Sequence, residues 1–249
     1  MRNSDYPSSV NRIASILLIF SCSFLFGASQ SLKLVTMPTC GLLNKNELSY
    51  TVDFYPGGAV VGFMQLGLIK RLMVGVSYGG SNIVGWKHPD WLTHIGFNGR
   101  VRLFEESYSL PAFAIGFEGQ GVPPYADGRY YYKSPGLYFV ASKNYNFFGG
   151  DLSFHGGINY TYENKDDKGP DLFGGSIFLF QFLKVTLDYR LALDDNVNTR
   201  ERGYLNLSIG FVSQETFGFS LLLLDMLENS RDDLSMGRGL RVGFVKSFK

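Results

Sequence analysis

Residues 185–194 read Val-Thr-Leu-Asp-Tyr-Arg-Leu-Ala-Leu-Asp, in which Val185, Leu187, Tyr189, Leu191 and Leu193 are opposed by Thr186, Asp188, Arg190 and Asp194. Successive side chains of an extended chain point to opposite faces, so this stretch is a strand with one apolar and one polar face. A helical period would mix the two sets instead of separating them.

The pattern recurs. Leu48, Tyr50, Val52 and Phe54 alternate with Ser49, Thr51 and Asp53; Ile95, Phe97, Val101 and Leu103 alternate with His94, Asn98, Arg100 and Arg102. Leu152, Phe154, Ile158, Tyr160 and Tyr162 oppose Asp151, Ser153, His155, Asn159 and Thr161. Weaker segments fall at Val60–Leu68, Leu72–Tyr78, Ala112–Glu118, Gly136–Ser142, Phe173–Phe180, Tyr204–Val212, Phe217–Leu224 and Leu240–Phe248. Together they make about twelve strands, one hairpin more or fewer, and an even count suits a closed up-and-down barrel.

Connections between the segments differ by side. Lys70-Arg71, Glu105 to Ser107, Asn144 to Asn146, Phe182-Leu183 and Gln214-Glu215 are short, whereas Gly79–Pro89, Gly119–Gly128, Glu163–Asp171, Asp194–Arg202 and Asp225–Arg238 are long. Short turns on one rim and long loops on the other are the outer-membrane arrangement, with the short rim periplasmic. Pro56-Gly57-Gly58 is the exception, a tight turn on the long-loop side.

Composition agrees with an all-β chain. Of 249 residues 30 are Gly and 16% are aromatic, too apolar for disorder and too Gly-rich for a helical bundle. A net charge of +1 and no basic run argue against a nucleic-acid partner. At the N-terminus, Arg2 and Arg12 precede the apolar Ile13–Gly27, followed by Ala28 and Ser29, the order of a secretory signal peptide cleaved near Ser29 or Ser31. About 15 apolar residues fall short of the roughly 20 a spanning helix needs. A lipoprotein site at Cys22 is disfavoured by Phe20 and by the apolar residues after it. Residues 1–30 are thus expected to be a signal peptide helix, and 31–249 an antiparallel up-and-down transmembrane β-barrel. With Cys22 removed, Cys40 is the one remaining thiol, so no internal disulfide is expected.

Alternation does not say which face points outward. A soluble secreted barrel would turn the apolar set inward around an apolar ligand. The membrane orientation is favoured by polar faces too sparse in Lys and Glu for a solvated surface. It is also favoured by aromatics crowding the strand ends, at Tyr50, Tyr55, Tyr78, Trp86, Trp91, Phe104, Tyr108, Tyr130–Tyr132, Tyr160 and Tyr162, expected to form interfacial girdles. The C-terminal Arg241–Phe248 resembles the β-signal read by the barrel-assembly machinery, with Gly243, Phe244 and Phe248 as its elements; it departs from that signal at Lys246 and by the extra Lys249.

The segments Met37–Gly41, Asp53–Gly58, Gly75–Gly85 and Gly156–Tyr160 resemble the YjbH-like, exopolysaccharide-associated outer-membrane barrels. The resemblance implies an outer-membrane barrel in contact with lipid and tied to envelope or polysaccharide export, and it carries over no functional residue.

Candidate chemistry is sparse. Ser153 and His155, two apart on one face, could pair nucleophile and base in a lipid-modifying hydrolase, but no acidic or amide residue is evident to orient the imidazole. The expected lumen-facing polar set is Asp53, Arg100, Arg102, Glu118, Asp151, His155, Asp188, Arg190, Asp194 and Arg241. Such a set either lines a pore for polar solutes or polysaccharide, or fills a narrow bore with charge pairs; the filled bore is favoured. Asn164–Asp171 has several aspartates but lacks the spacing of a calcium loop, and His88, His94 and His155 show no zinc spacing. No cofactor or metal is expected, and the leading function is a non-enzymatic envelope-structural or solute-passage barrel.

Overall fold

The computed structural model describes residues 31–163, 169–193, 195, 199–213, 216–230 and 236–248. The signal peptide, Asp194, the Gln214-Glu215 turn and most of the aspartate-rich loop lie outside them. Strands run β1 (Glu47–Tyr55), β2 (Ala59–Ile69), β3 (Leu72–Ser81), β4 (Asp90–Trp91), β5 (Gly96–Phe104), β6 (Ala112–Glu118), β7 (Val122–Ala126) and β8 (Arg129–Tyr132). They continue as β9 (Gly136–Phe147), β10 (Gly150–Tyr160), β11 (Pro170–Phe180), β12 (Leu183–Arg190), β13 (Tyr204–Ser213), β14 (Phe217–Leu223) and β15 (Arg238–Ser247).

One antiparallel sheet closes on itself in the order β2-β1-β15-β14-β13-β12-β11-β10-β9-β6-β5-β3, with β3 returning to β2. That is a twelve-stranded barrel. The two-residue β4 adds to β3 beyond the wall, and β7 and β8 form a separate hairpin. Closure satisfies every edge that an open sheet would leave unpaired. The seam joins the two ends of the chain, β1 to β15, with Asp53 opposite Arg241 and Tyr50 opposite Phe244. Phe244 and Phe248 are both exposed on the outside, and Tyr50 packs its ring 5.6 Å from that of Phe244.

The alternation resolves into an apolar outside and a polar inside. On β5, Phe97 is 63% exposed, whereas its neighbours Asn98 and Arg100 are buried. On β12, Leu187 is exposed while Thr186, Asp188 and Arg190 are buried. Exposed Val74, Ile115, Phe139, Phe154, Ile209 and Leu221 continue the apolar wall on six further strands. A continuous apolar outer surface around a polar interior is the polarity of a barrel in lipid, the reverse of a soluble ligand-binding barrel. Among the described residues no helix is long and apolar enough to cross a membrane.

The tight turn between β1 and β2 explains the one exception in the loop pattern. Pro56–Gly58 forms a single 3-10 turn with Gly57 and Gly58 at φ 73° and 70°. A Cβ on Gly58 would lie 2.0 Å from the Val84 carbonyl, so the loop after β3 lies directly over the turn. Val84 N–H donates to the Gly58 carbonyl there at 3.0 Å.

Candidate functional site: a plugged lumen

The segment ahead of β1, Ser31 to Asn46, does not belong to the wall. It runs inside the barrel as far as Leu43, with Leu34, Val35, Met37, Thr39, Cys40 and Leu43 all buried, and Asn44–Asn46 are exposed. Its fold is irregular: a turn ties Leu34 N–H to the Met37 carbonyl at 2.8 Å, and Asn46 N–H to the Gly67 carbonyl at 2.9 Å fastens its end to β2.

An irregular backbone away from water must find partners for its amides and carbonyls, and here the wall's charged side chains supply them. Asp188, 0% exposed on β12, accepts from the amides of Thr36 (2.7 Å) and Met37 (3.2 Å) and from the Thr36 hydroxyl. Asn206 Nδ2 donates to its other oxygen at 2.7 Å. Arg241 donates to the carbonyls of Leu34 (3.0 Å) and Val35 (2.8 Å) while its Nε and Nη2 hold Asp53 at 2.6 and 2.7 Å. Arg100 Nη1 donates to the carbonyls of Leu32 and Gly41, and Arg102 Nε to that of Cys40 at 3.1 Å. Side chains from three strands, β5, β12 and β15, thus act as hydrogen-bonding partners for one peptide. The wall also recedes to admit it, since a Cβ on Gly175 would lie 2.8 Å from Leu34 Cδ1.

Apolar contacts complete the plug. Leu34, Met37 and Cys40 pack on Ala112, Ala114, Tyr138, Val140, Phe173 and Ile177. Burial pushes the Cys40 thiol above its ordinary pKa, its Sγ lying near the Ala112 and Val140 carbonyls.

A second stopper sits above it. The β7–β8 hairpin folds into the long-loop mouth, where Val122 and Tyr132 join Val35 in one cluster with Tyr55, Val61, Phe63, Tyr204, Leu222 and Leu224. Tyr132 packs its ring 4.7 Å from that of Tyr204. Arg129 makes a two-point ion pair with Asp195 at 2.8 and 3.0 Å, and Glu163 accepts from the amides of Tyr130 and Ser134 at 2.8 and 2.7 Å. Tyr55, Tyr130 and Tyr132 are therefore interior residues, which corrects their expected place in an interfacial girdle. Tyr50, Tyr78, Trp91 and Tyr162 do face outward.

Each residue of the expected lumen set except Asp194 can now be placed. Asp53, Arg100, Arg102, Asp188 and Arg241 hold the plug directly or through a partner, as above. Glu118 accepts from Lys33 of the plug at 3.3 Å. Arg190 pairs with Asp171 at 2.6 Å and donates to the Lys133 carbonyl behind the hairpin at 2.9 Å. Asp171 is thus a wall residue and not a loop-tip calcium ligand; residues 164–168 of that loop, like Asp194, are outside the described chain. Asp151 stays exposed at the short-turn rim.

His155 lies inside between two hydroxyls, Ser153 Oγ at 2.9 Å from Nε2 and Ser142 Oγ at 2.7 Å from Nδ1. Ser142 also accepts from the Cys40 amide at 3.0 Å. A hydroxyl in the orienting position supplies no negative charge to stabilise an imidazolium, unlike the carboxylate of a hydrolase triad. The group links the plug to β9 and β10. Among the described residues no cluster of His, Cys, Asp and Glu is arranged to hold a metal ion.

Below the plug the lumen opens into a vestibule of about 600 Å³ on the short-turn side. Glu47, Lys70, Glu105 and Ser247 ring its mouth, and Asp53, Arg100, Glu118 and Arg241 border it deeper. Lys184, absent from the expected set, lies where this space meets a smaller cavity of about 130 Å³ beside Ser153 and His155.

Fold and lumen together define a closed, internally plugged twelve-stranded β-barrel with a lipid-type outer wall. No family model and no curated protein matches the chain. Among solved structures it is similar to a KdgM porin, at 10% identity over 82% of this chain and 99% of that one, with a TM-score of 0.48. It is also similar to Wzi of Escherichia coli, described as an outer-membrane protein involved in group 1 capsule assembly and a carbohydrate-binding β-barrel. That similarity is at 13% identity over 77% of this chain and 52% of Wzi, with a TM-score of 0.31. Neither similarity assigns a role to a residue of this chain.

Proposed function

We propose that the protein is a non-enzymatic barrel of the bacterial outer membrane that stands closed and serves the structure of the envelope. Its long loops face outward and its short turns and vestibule face the periplasm. One observation carries this: residues 31–43 occupy the bore and take backbone hydrogen bonds from the wall. An open porin would leave those charged side chains to water and solute. Passage of a polar solute or polysaccharide, the export role that the YjbH-like resemblance implies, requires both the plug and the hairpin to move aside.

Membrane fractionation combined with gel migration before and after boiling tests the proposal. The protein is expected in the outer-membrane fraction, migrating faster unheated than boiled, because a closed barrel resists detergent until heated. Recovery in the soluble periplasmic fraction, with no heat-dependent shift, would contradict it.

A further inference from the structure

Six cationic side chains and four carboxylates border the vestibule. The carboxylates are engaged. Asp53 is held by Arg241, Glu118 by Lys33, Glu105 by Arg71 and Arg102, and Glu47 caps the Asn44 amide at 2.7 Å.

Among the described residues, three of the six cations, Lys70 at the mouth and Lys184 and Arg100 deeper in the lumen, have no carboxylate within ion-pair distance. The Lys184 ammonium donates to the Ser31 hydroxyl at 2.7 Å, its one hydrogen-bond acceptor among the described residues. Arg100 spends Nε on the Tyr138 hydroxyl at 2.8 Å and Nη1 on two plug carbonyls, and its Nη2 donates to no acceptor in the described chain. Asp151 lies on Lys184's own row, reached through Leu179 in the registers Asp151↔Leu179 and Leu179↔Lys184. Two strand spacings separate their backbones by about 10 Å, and although both side chains line the smaller cavity they form no ion pair. A cation held in a partly enclosed lumen without a counter-charge is costly, and a mobile anion is the simplest way to offset it. The space suits one, since small-molecule pockets span roughly 300–1,000 Å³.

We propose that the vestibule is a binding site for a small oxyanion group, phosphate or carboxylate, entering from the short-turn side and held by Lys184, with Arg100 Nη2 as a second donor on the far wall. Phosphate and carboxylate share the acceptor geometry these donors require. The site rests on the plugged lumen, because the plug forms the vestibule's roof and supplies Ser31. It does not depend on which membrane the barrel occupies.

Calorimetric titration of the full chain in detergent micelles tests it, with inorganic phosphate and with acetate as separate arms. Saturable heat with either anion is expected, and the arm that saturates identifies the chemistry. Lys184→Met should weaken binding by about tenfold or more, as loss of one partner of an enclosed charge pair does, and Lys184→Arg should retain it. Absence of saturable heat with both anions in the unaltered protein would overturn the proposal, whatever the variants do. So would unchanged affinity in a Lys184→Met protein that keeps its heat-dependent migration. Because no membrane is involved, a result that removed the outer-membrane assignment would leave this outcome readable.

Discussion

Removing residues 32–43 and replacing the β7–β8 hairpin by a short linker is expected to turn a silent barrel into a conducting one in planar bilayers. The two obstructions lie in series. The plug fills the middle of the bore against Ala114, Val140 and Ile177, and the hairpin places Val122 and Tyr132 over it in the long-loop mouth. Deleting either alone leaves the other in place, so each single deletion should pass little or no current, and the double deletion should give discrete steps. The emptied wall would then present Asp188, Arg100, Arg102, Asp53 and Arg241 to water, a lining of both signs that solvates readily. Full conductance from the intact protein would show that the segments do not close the bore.

Arg241→Leu is expected to cost about 3–5 kcal/mol of stability, the range for breaking a buried pair by removing one partner. The substitution leaves the fully buried Asp53 carboxylate with the Tyr55 hydroxyl at 2.8 Å as its remaining side-chain donor. It also strips donors from the Leu34 and Val35 carbonyls of the plug. Because Asp53 and Arg241 face each other across the closing seam, the loss falls on barrel closure and on the plug together. Urea unfolding of the detergent-refolded protein measures it. Adding Asp53→Asn should recover part of the loss, since the second change removes the uncompensated charge, and with Asp53→Asn alone measured as well the departure from additivity is the coupling between the two sites. A loss under about 1 kcal/mol, the scale of an exposed pair, would contradict the placement of both groups.

The wall was legible in the sequence because its signal is local. Strict alternation on the later β5 and β12 separates Phe97 from Arg100 and Leu187 from Asp188 within a few residues, and the structure buries and exposes them accordingly. The plug carries no such signal. Residues 31–46 have no period, and their partners lie far off in sequence, with Thr36 meeting Asp188 at a separation of 152 residues and Val35 meeting Arg241 at 206. Polar groups on the inner face could be named, but whether water or peptide would satisfy them is decided only once the barrel closes. Two misplacements had available signals. Tyr55 shares the odd-numbered face of β1 with Ser49, Thr51 and Asp53, so its parity alone puts it inside; its aromatic character suggested a girdle instead. Lys184 stands one step of two before Thr186, on the same inner face, at a strand end where alternation has only begun. Tyr130 and Tyr132 lie in a long loop, where sequence gives no direction to the fold-back of a hairpin.

The presence of the N-terminal segment inside the barrel is tested most directly by the reactivity of Cys40, the one cysteine among the described residues. The full chain carrying Cys22→Ser, folded in detergent, is treated with a polyethylene-glycol maleimide, then run unheated and boiled on the same gel. Cys40 is 1% exposed and its thiol is pushed toward the unreactive protonated form. The expected result is a compact folded band with no mass increase, and complete labelling only when the reagent is added after boiling. Stoichiometric labelling of the folded, heat-modifiable band would place the segment outside the bore and contradict the account.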